Sequence, residues 1–370
     1  MKKLLLATAA VMALSATAAQ AEVKLDLGGY FKGYAGYSDQ DTANLRDFDI
    51  KRKSEIHFTG ETTLDNGLTV GYHGEMFQDN EELLTDAAGE VGMEETYLYM
   101  SGNWGRFNLG RGNGAAYMLQ VSAPGADANL DGMDIDFSFY NVTGGNGARQ
   151  DYKQSGPTLD AQYSDKIVYM TPKFNGFQGG LSYSPRYETL ERDDQRNGME
   201  ADNTTADLEN MMEVALRYDG EMSGLGVHVG AGYTTASPEV EDTTTTNFGS
   251  DDFQQWNAGL KLTYNNFGFG GAYITDNAAR EAADFDIDTW TVGADYTWGA
   301  YVFGASYFNS QAGNGVGTNE DEIERYMVGA TYTFGPGMDF RGAVGVIDEE
   351  VAGVSGNDAT VVTAGTDIQF

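Results

Sequence analysis

Three histidines, His57, His73 and His228, stand in a chain of 370 residues that holds no cysteine. His57 lies two residues from Glu55, and His73 two residues from Glu75, with Lys53 just ahead of the first pair. Alternate residues of an extended chain share a face, so Lys53, Glu55 and His57 fall on one face of one strand, and His73 and Glu75 on one face of the next. Between them lies Leu64-Asp65-Asn66-Gly67-Leu68. Facing residues must pair with facing residues, so the numbers of each pair must sum to an even value. A two-residue Asn66-Gly67 turn breaks that rule. A three-residue Asp65-Asn66-Gly67 loop keeps it, with Gly67 supplying φ > 0. The resulting register sets His57 opposite Glu75 and Thr59 opposite His73. Imidazole beside carboxylate can ligate a metal or change charge with pH. The plainer reading is a hydrated patch of opposite charges. A second cluster, Asp131-Gly132-Met133-Asp134-Ile135-Asp136, has the oxygen density of a Ca²⁺ site at Asp131, Asp134 and Asp136 but not the EF-hand spacing. Its plain reading is a solvated acidic loop. No serine stands in a recognisable setting beside a histidine, and thiol chemistry is impossible without cysteine, so an enzyme is the weaker class. No cofactor is expected beyond Ca²⁺ at the acidic loops.

The elements that carry these residues are strands. The chain is strongly acidic, with 56 Asp and Glu against 22 Lys and Arg, a net charge of −34. Nucleic acid is thereby excluded as a partner, because phosphate contact needs a basic surface. At 41% hydrophobic and 12% aromatic the chain has the means to fold. Glycine is abundant at 49 residues. Met1-Lys2-Lys3, the apolar stretch Leu4 to Leu14 and Ala19-Gln20-Ala21 make residues 1–21 a secretory signal peptide, too short to span a bilayer as a helix. The mature chain is then 22–370.

Period-two alternation runs through that chain and helical periodicity is nearly absent. Sixteen strands are expected near 23–37, 48–63, 68–78, 93–101, 105–111, 162–172, 177–187, 210–219, 225–235, 253–264, 267–276, 285–297, 300–309, 322–334, 338–348 and 359–370. Short turns alternate with long Asp-, Asn-, Thr- and Gly-rich loops, the longest at 112–161. Outer-membrane barrels sort their connections in this way, and an even strand number allows closure without a free edge. The charges follow the same parity. Trp256, Ala258, Leu260, Leu262 and Tyr264 alternate with Lys261, and Lys32, Lys53, Lys166, Arg186, Arg217, Arg325 and Arg341 likewise oppose the apolar residues of their strands. Arg52 and Arg106 are expected as exceptions near strand ends. A basic residue facing lipid at the bilayer midplane costs about 2–4 kcal/mol, which explains the pattern. The expected fold is all-β, a 16-stranded antiparallel transmembrane barrel.

Four stretches carry a family resemblance. They are Leu64 to Gly71 (LDNGLTVG), Tyr97 to Arg111 (YLYMSGNWGRFNLGR), Ile167 to Phe177 (IVYMTPKFNGF) and the terminal Phe370. Together they resemble the general porins of Gram-negative outer membranes. The resemblance implies a homotrimer in outer-membrane lipid and lipopolysaccharide, passing small hydrophilic solutes and ions. It implies a third loop, here 112–161, folded into the barrel to narrow it. On this reading Lys32, Lys53, Glu55, His57, His73, Glu75, Arg111 and Arg341 line the pore. The loop brings Asp127, Asp131, Asp134, Asp136, Asp151 and Asp160 against Arg149 and Lys153, an excess that favours cations modestly. Outer acidic pairs such as Asp193-Asp194 and Glu241-Asp242 are placed near lipopolysaccharide. Departures are the missing acidic tip motif of the third loop, Val168 at an often basic position, and Glu55 and Glu75 where relatives often place Arg. The alternatives are a substrate-selective outer-membrane channel, for a sugar or other small solute, and a barrel enzyme. Most aromatics fall on the lipid parity, which speaks against an aromatic file for sugars.

Overall fold

The alternating segments become a closed antiparallel sheet. A computed structural model describes residues 23–79, 92–144, 147–154, 156, 163–186, 207–244, 247–282, 285–313 and 320–370. The signal segment 1–21, Asp160 and Asp193-Asp194 lie outside the described residues. The strands are β1 (Lys24–Gln40), β2 (Phe48–Thr63), β3 (Thr69–Asp79), β4 (Gly92–Gly102), β5 (Gly105–Arg111), β6 (Asp165–Met170), β7 (Phe177–Arg186) and β8 (Leu208–Met222). They continue as β9 (Leu225–Pro238), β10 (Phe253–Tyr264), β11 (Phe267–Asp276), β12 (Ile287–Trp298), β13 (Tyr301–Gly313), β14 (Glu320–Gly335), β15 (Met338–Val351) and β16 (Ala359–Gln369). A two-residue strand, Val354–Ser355, extends the β15 hairpin. Each strand pairs with its sequence neighbours, and β1 pairs with β16 from Tyr30↔Gln369 to Gln40↔Ala359, which closes the barrel. The last residue takes part: Gly29 N–H donates to Phe370 O, and Phe370 N–H to Gly29 O, both at 3.0 Å.

The β2–β3 register is the one parity requires, with His57↔Glu75 and Thr59↔His73. Gly67 adopts φ +82° and its N–H donates to Leu64 O at 2.9 Å, while Leu68 N–H donates to Asn66 Oδ1. Several strands run past their expected ends on the long-loop side, such as β13 to Gly313 and β15 to Val351. Backbone pairing there continues after the apolar alternation stops. Strand β6 is shorter than expected and ends at Met170, because Pro172 has no N–H to give the ladder.

The outer face is apolar. Leu181, Leu216, Trp256, Leu260, Val292, Val328 and Val344 are all exposed, alongside many more large apolar residues. A water-soluble protein tolerates exposed apolar patches of only a few hundred Å², so this surface faces lipid. Aromatic pairs gather at two heights on it. Phe267–Tyr296 and Tyr301–Tyr332, with centroids at 4.7 and 4.8 Å, lie near the short turns. Trp290–Tyr307 and Tyr307–Tyr326, at 4.8 and 4.7 Å, lie higher. Tyr301 and Tyr307 are separated by roughly 20 Å along the strand at the usual rise per residue, consistent with girdles at two membrane interfaces.

Candidate functional site

The connection from β5 to β6 lies against the polar side of the wall. It holds two single helical turns, α1 (Ala115–Met118) and α2 (Ala128–Asp131). Its contacts spread around the barrel interior: Ala115 N–H to Ser182 Oγ on β7, Gln154 to Thr234 on β9 and to Asn257 on β10, Arg149 to Asp276 on β11, and Lys32 on β1 to Asp136. The backbone of 119–126 runs over a row of inward-facing glycines. A Cβ at Gly230 would meet Leu119 O, one at Gly259 would meet Val121 O, one at Gly293 would meet Pro124 O, and one at Gly304 would meet Gly125 O. Part of the high glycine content therefore serves close approach of this segment to the wall. Beyond it, Phe137, Phe139, Tyr140 and Tyr152 form an apolar core with Tyr34, Phe308, Ile323 and Ile347 of the wall.

The loop carboxylates do not converge. Asp127 caps α2 by accepting from Asn129 N–H, takes a hydrogen bond from Tyr34 OH at 2.7 Å, and pairs with Arg341 Nη1 at 3.0 Å. Asp131 is buried and accepts from Ala126 N–H, Asp127 N–H and the Ser306 hydroxyl. Burial raises its pKa, against the opposing pull of those donors. Asp134 pairs with Lys153 at 2.8 Å and accepts from Tyr117 OH. Asp136 lies between Lys32 at 2.6 Å and Lys53 at 3.0 Å. Its burial alone would raise the pKa, but Lys53 and Lys32 outweigh that and hold it below the usual carboxylate range. Asp151 is buried, which raises its pKa in spite of Lys153 nearby. Asp131, Asp134 and Asp136 thus have separate partners. Among the described residues the metal-ligating side chains that do converge are elsewhere, on the wall.

That wall is β1–β4. Glu55 accepts from Tyr30 OH and lies 3.4 Å from Lys53 Nζ through Oε1, while its Oε2 lies 2.9 Å from His57 Nε2. His57 Nε2 is also 3.8 Å from Glu75 Oε1, and His73 Nε2 is 2.9 Å from the same oxygen. Glu95, which the sequence reading did not single out, joins from β4 and accepts from both Asn113 N–H and Asn113 Nδ2. It stands on the Tyr97 and Tyr99 parity, and those inward tyrosines obscured the signal. Rings of Tyr30, His57, His73, Tyr97 and Tyr99 follow one another across the strands with centroids 6.1, 6.0, 5.2 and 6.5 Å apart. Most large aromatics do sit outside, but this inner file was not visible as one.

Two expected placements change. Arg111 pairs with Thr96 and Asp165 on the ladder parity of Leu109, which is the apolar outer side, and not with the inner wall. Arg106, expected as an exception on the apolar side, shares the parity of buried Asn108, donates to it, and lies 4.0 Å over the Tyr99 ring. The apolar reading of this strand was off by one because Phe107 and Leu109 flank a polar inner row that is mostly small. Lys32, Lys53, Glu55, His57, His73, Glu75 and Arg341 all fall on the inner parity.

A sequence model described as Gram-negative porin matches residues 7–352. The chain belongs to the Gram-negative porin family. Its place is therefore the bacterial outer membrane, and membership in a porin family answers the enzyme alternative. An outer membrane porin protein of Bordetella pertussis is 28% identical over 204 residues, half of this porin and 48% of that protein, so the match spans about half the relative's length. The fold is similar to that of an anion-selective porin from Comamonas acidovorans, with TM-score 0.61, 14% identity, and coverage of 94% of this chain and 100% of that one. It is similar also to a loop-deletion mutant of an outer membrane protein of Vibrio cholerae, with TM-score 0.60, 16% identity, and coverage of 94% and 99%.

Proposed function

We propose that this porin is a homotrimeric, water-filled channel for passive diffusion of small hydrophilic solutes and ions, narrowed by the 112–161 loop and modestly selective for cations. The observation that carries the selectivity is the pairing of the loop. Asp127, Asp134 and Asp136 each face a basic side chain, and Asp131 is buried. The wall retains the excess, because Glu55, Glu75, Glu95 and Asp136 outnumber the ion-paired Lys32 and Lys53 across β1–β4. Rings and rows of carboxylates favour cations in a narrow bore, and salt screens that preference over roughly 8–10 Å. The zero-current potential across a planar bilayer in a KCl gradient tests the reading. A cation-selective potential that moves toward zero in Glu75→Gln supports it, and an anion-selective wild type overturns it. The trimer is tested by gel migration, where an unheated sample should run at trimer size and a boiled one at monomer size. Acidic outer loops such as Glu241-Asp242 suit divalent bridging to lipopolysaccharide phosphates, and Ca²⁺ is the ion proposed there.

A further inference from the structure

We infer that the inner wall of β2–β4 is a binding site for a divalent transition-metal ion of the Zn²⁺ class, with Glu75 as its central ligand. Two triads converge there, Glu55–His57–Glu75 and His73–Glu75–Glu95, each with its ligand atoms within 4.8 Å of one another. Both triads contain an imidazole and at least one carboxylate beside Glu75, the donor mixture that suits Zn²⁺, Cu²⁺ or Ni²⁺ rather than the all-oxygen shell of Ca²⁺.

The geometry needs little change. Ligand atoms around a tetrahedral Zn²⁺ lie about 3.3 Å apart, given metal–ligand distances of about 2.0–2.1 Å. His57 Nε2 is 2.9 Å from Glu55 Oε2 and 3.8 Å from Glu75 Oε1, and His73 Nε2 is 2.9 Å from that same Glu75 oxygen. These His–Glu contacts bracket the tetrahedral spacing, and side-chain rotation draws in the remaining carboxylate oxygens, all within 4.8 Å, to form a coordination shell in which the ion replaces the proton between nitrogen and oxygen.

The surrounding groups hold the ligands in the required form. His73 Nδ1 lies 2.9 Å from Thr59 Oγ1. With Nδ1–H donating to that hydroxyl, Nε2 presents its lone pair toward Glu75. Outer partners of this kind fix the tautomer of metal-binding histidines. Glu55 is held through Oε1 by Tyr30 OH and Lys53, which leaves Oε2 toward His57. Glu95 is held by Asn113 of the loop. His57, His73 and Glu75 remain partly open, so an ion has a path from the barrel interior. The triads share Glu75, and a second dication a few ångströms from the first is repelled by it, so one ion per chain binds first.

The binding claim stands on the wall geometry alone, while its effect on current rests on the channel reading. Calorimetric titration of ZnCl₂ into the folded porin in detergent tests the first. We expect one site per chain with micromolar affinity, at least tenfold weaker in His57→Gln and in His73→Gln, and lost in the double variant and in Glu75→Ala. Boiled and unboiled gel migration reports that each variant is folded. CaCl₂ at the same concentration should not displace Zn²⁺. Binding that survives the double histidine variant, or that Ca²⁺ competes away equally, overturns the proposal in favour of a diffuse acidic surface. In planar bilayers micromolar ZnCl₂ should lower single-channel current and reduce cation preference in the wild type, with EDTA restoring both. Wild type that binds Zn²⁺ yet opens no channel without it would sink the channel reading and leave the metal site standing. Zn²⁺ that binds while leaving current and selectivity unchanged places the ion outside the conducting path and overturns the placement.

Discussion

The walls of β1–β4 and β9–β14 are built from the same alternating strands, yet their inner faces differ. On β9–β14 the inward positions include Gly230, Gly259, Gly293 and Gly304, and the backbone of 119–126 lies directly on them. On β1–β4 the inward positions include Lys32, Lys53, Glu55, His57, His73 and Glu75, long side chains that reach the loop through Asp136, while Tyr34 and Gly36 at one end of β1 pack directly on Phe137 and Phe139. Small residues give a surface on which another chain can pack. Long charged residues give one that stays hydrated. The contrast explains how one loop can be fixed firmly on one side while leaving titratable groups open on the other.

The firm side should be the costlier to disturb. Asp276→Ala on β11 leaves Arg149 of the loop without its carboxylate, so it should cost about 3–5 kcal/mol, the range for breaking a buried ion pair. The midpoint of heat-induced loss of the folded gel band measures it. A change no larger than that of Asp136→Asn would remove the distinction between the walls.

The distinction also presumes that inner and outer faces are assigned correctly. Leu260→Arg puts a charge on the exposed apolar face and should cost about 2–4 kcal/mol at mid-membrane, whereas Thr263→Arg on the Lys261 parity should cost far less. Asn257 is not a suitable inner control, because its amide donates to Gln154 of the loop at 2.6 Å. Equal folded yields from the two Arg variants would undo the assignment.

Gly304→Val should cost about 1–3 kcal/mol by overpacking against Gly125 O, and should raise conductance by shifting the loop. Glu75→Gln, on the open wall, should change stability by only about 0.5 kcal/mol, read from the thermal midpoint, because the amide still hydrogen-bonds to His73 on a partly hydrated surface. Loop displacement by both variants, or by neither, would blur the comparison.

The smallest effect concerns pH. The Asp136 carboxyl is held below its usual value by Lys53 and Lys32, so folded protein binds its proton less readily than unfolded chain does. Its contribution is then complete above the ordinary Asp pKa of about 4 and disappears as pH falls through the depressed value. The difference in thermal midpoint between wild type and Asp136→Asn should stay constant from pH 7 to about 4.5 and shrink only below that. Asp131 acts in the opposite direction. Its raised pKa means that the buried carboxyl is best tolerated when protonated, and its penalty grows as pH rises from the unfolded value through the folded one.

Much of the molecule was legible from period-two alternation. The strand number, the side on which Lys261, Arg325 and Arg341 lie, and the His57↔Glu75 register all follow from parity, because one shifted residue would put a charge into lipid. Parity failed where its markers are ambiguous. Gly110 and Asn108 gave β5 no polar signal strong enough to set Arg106 inside and Arg111 outside. The tyrosines Tyr97 and Tyr99 face inward beside Glu95, where large aromatics were expected to face lipid.

The sequence by itself determined the barrel, since a backbone in lipid must satisfy its hydrogen bonds within a closed sheet and must turn its charges to one face. It also determined that residues 112–161 form one long connection. Only the tertiary structure decided where that connection rests and which carboxylates stay available. Asp127, Asp131 and Asp136 are alike as letters, but they meet an arginine, three hydrogen-bond donors and two lysines respectively. Apart from Ala126 and Asp127 of the loop itself, those partners come from β1, β2, β13 and β15, far apart along the chain, and closure of the sheet is what brings them to one place.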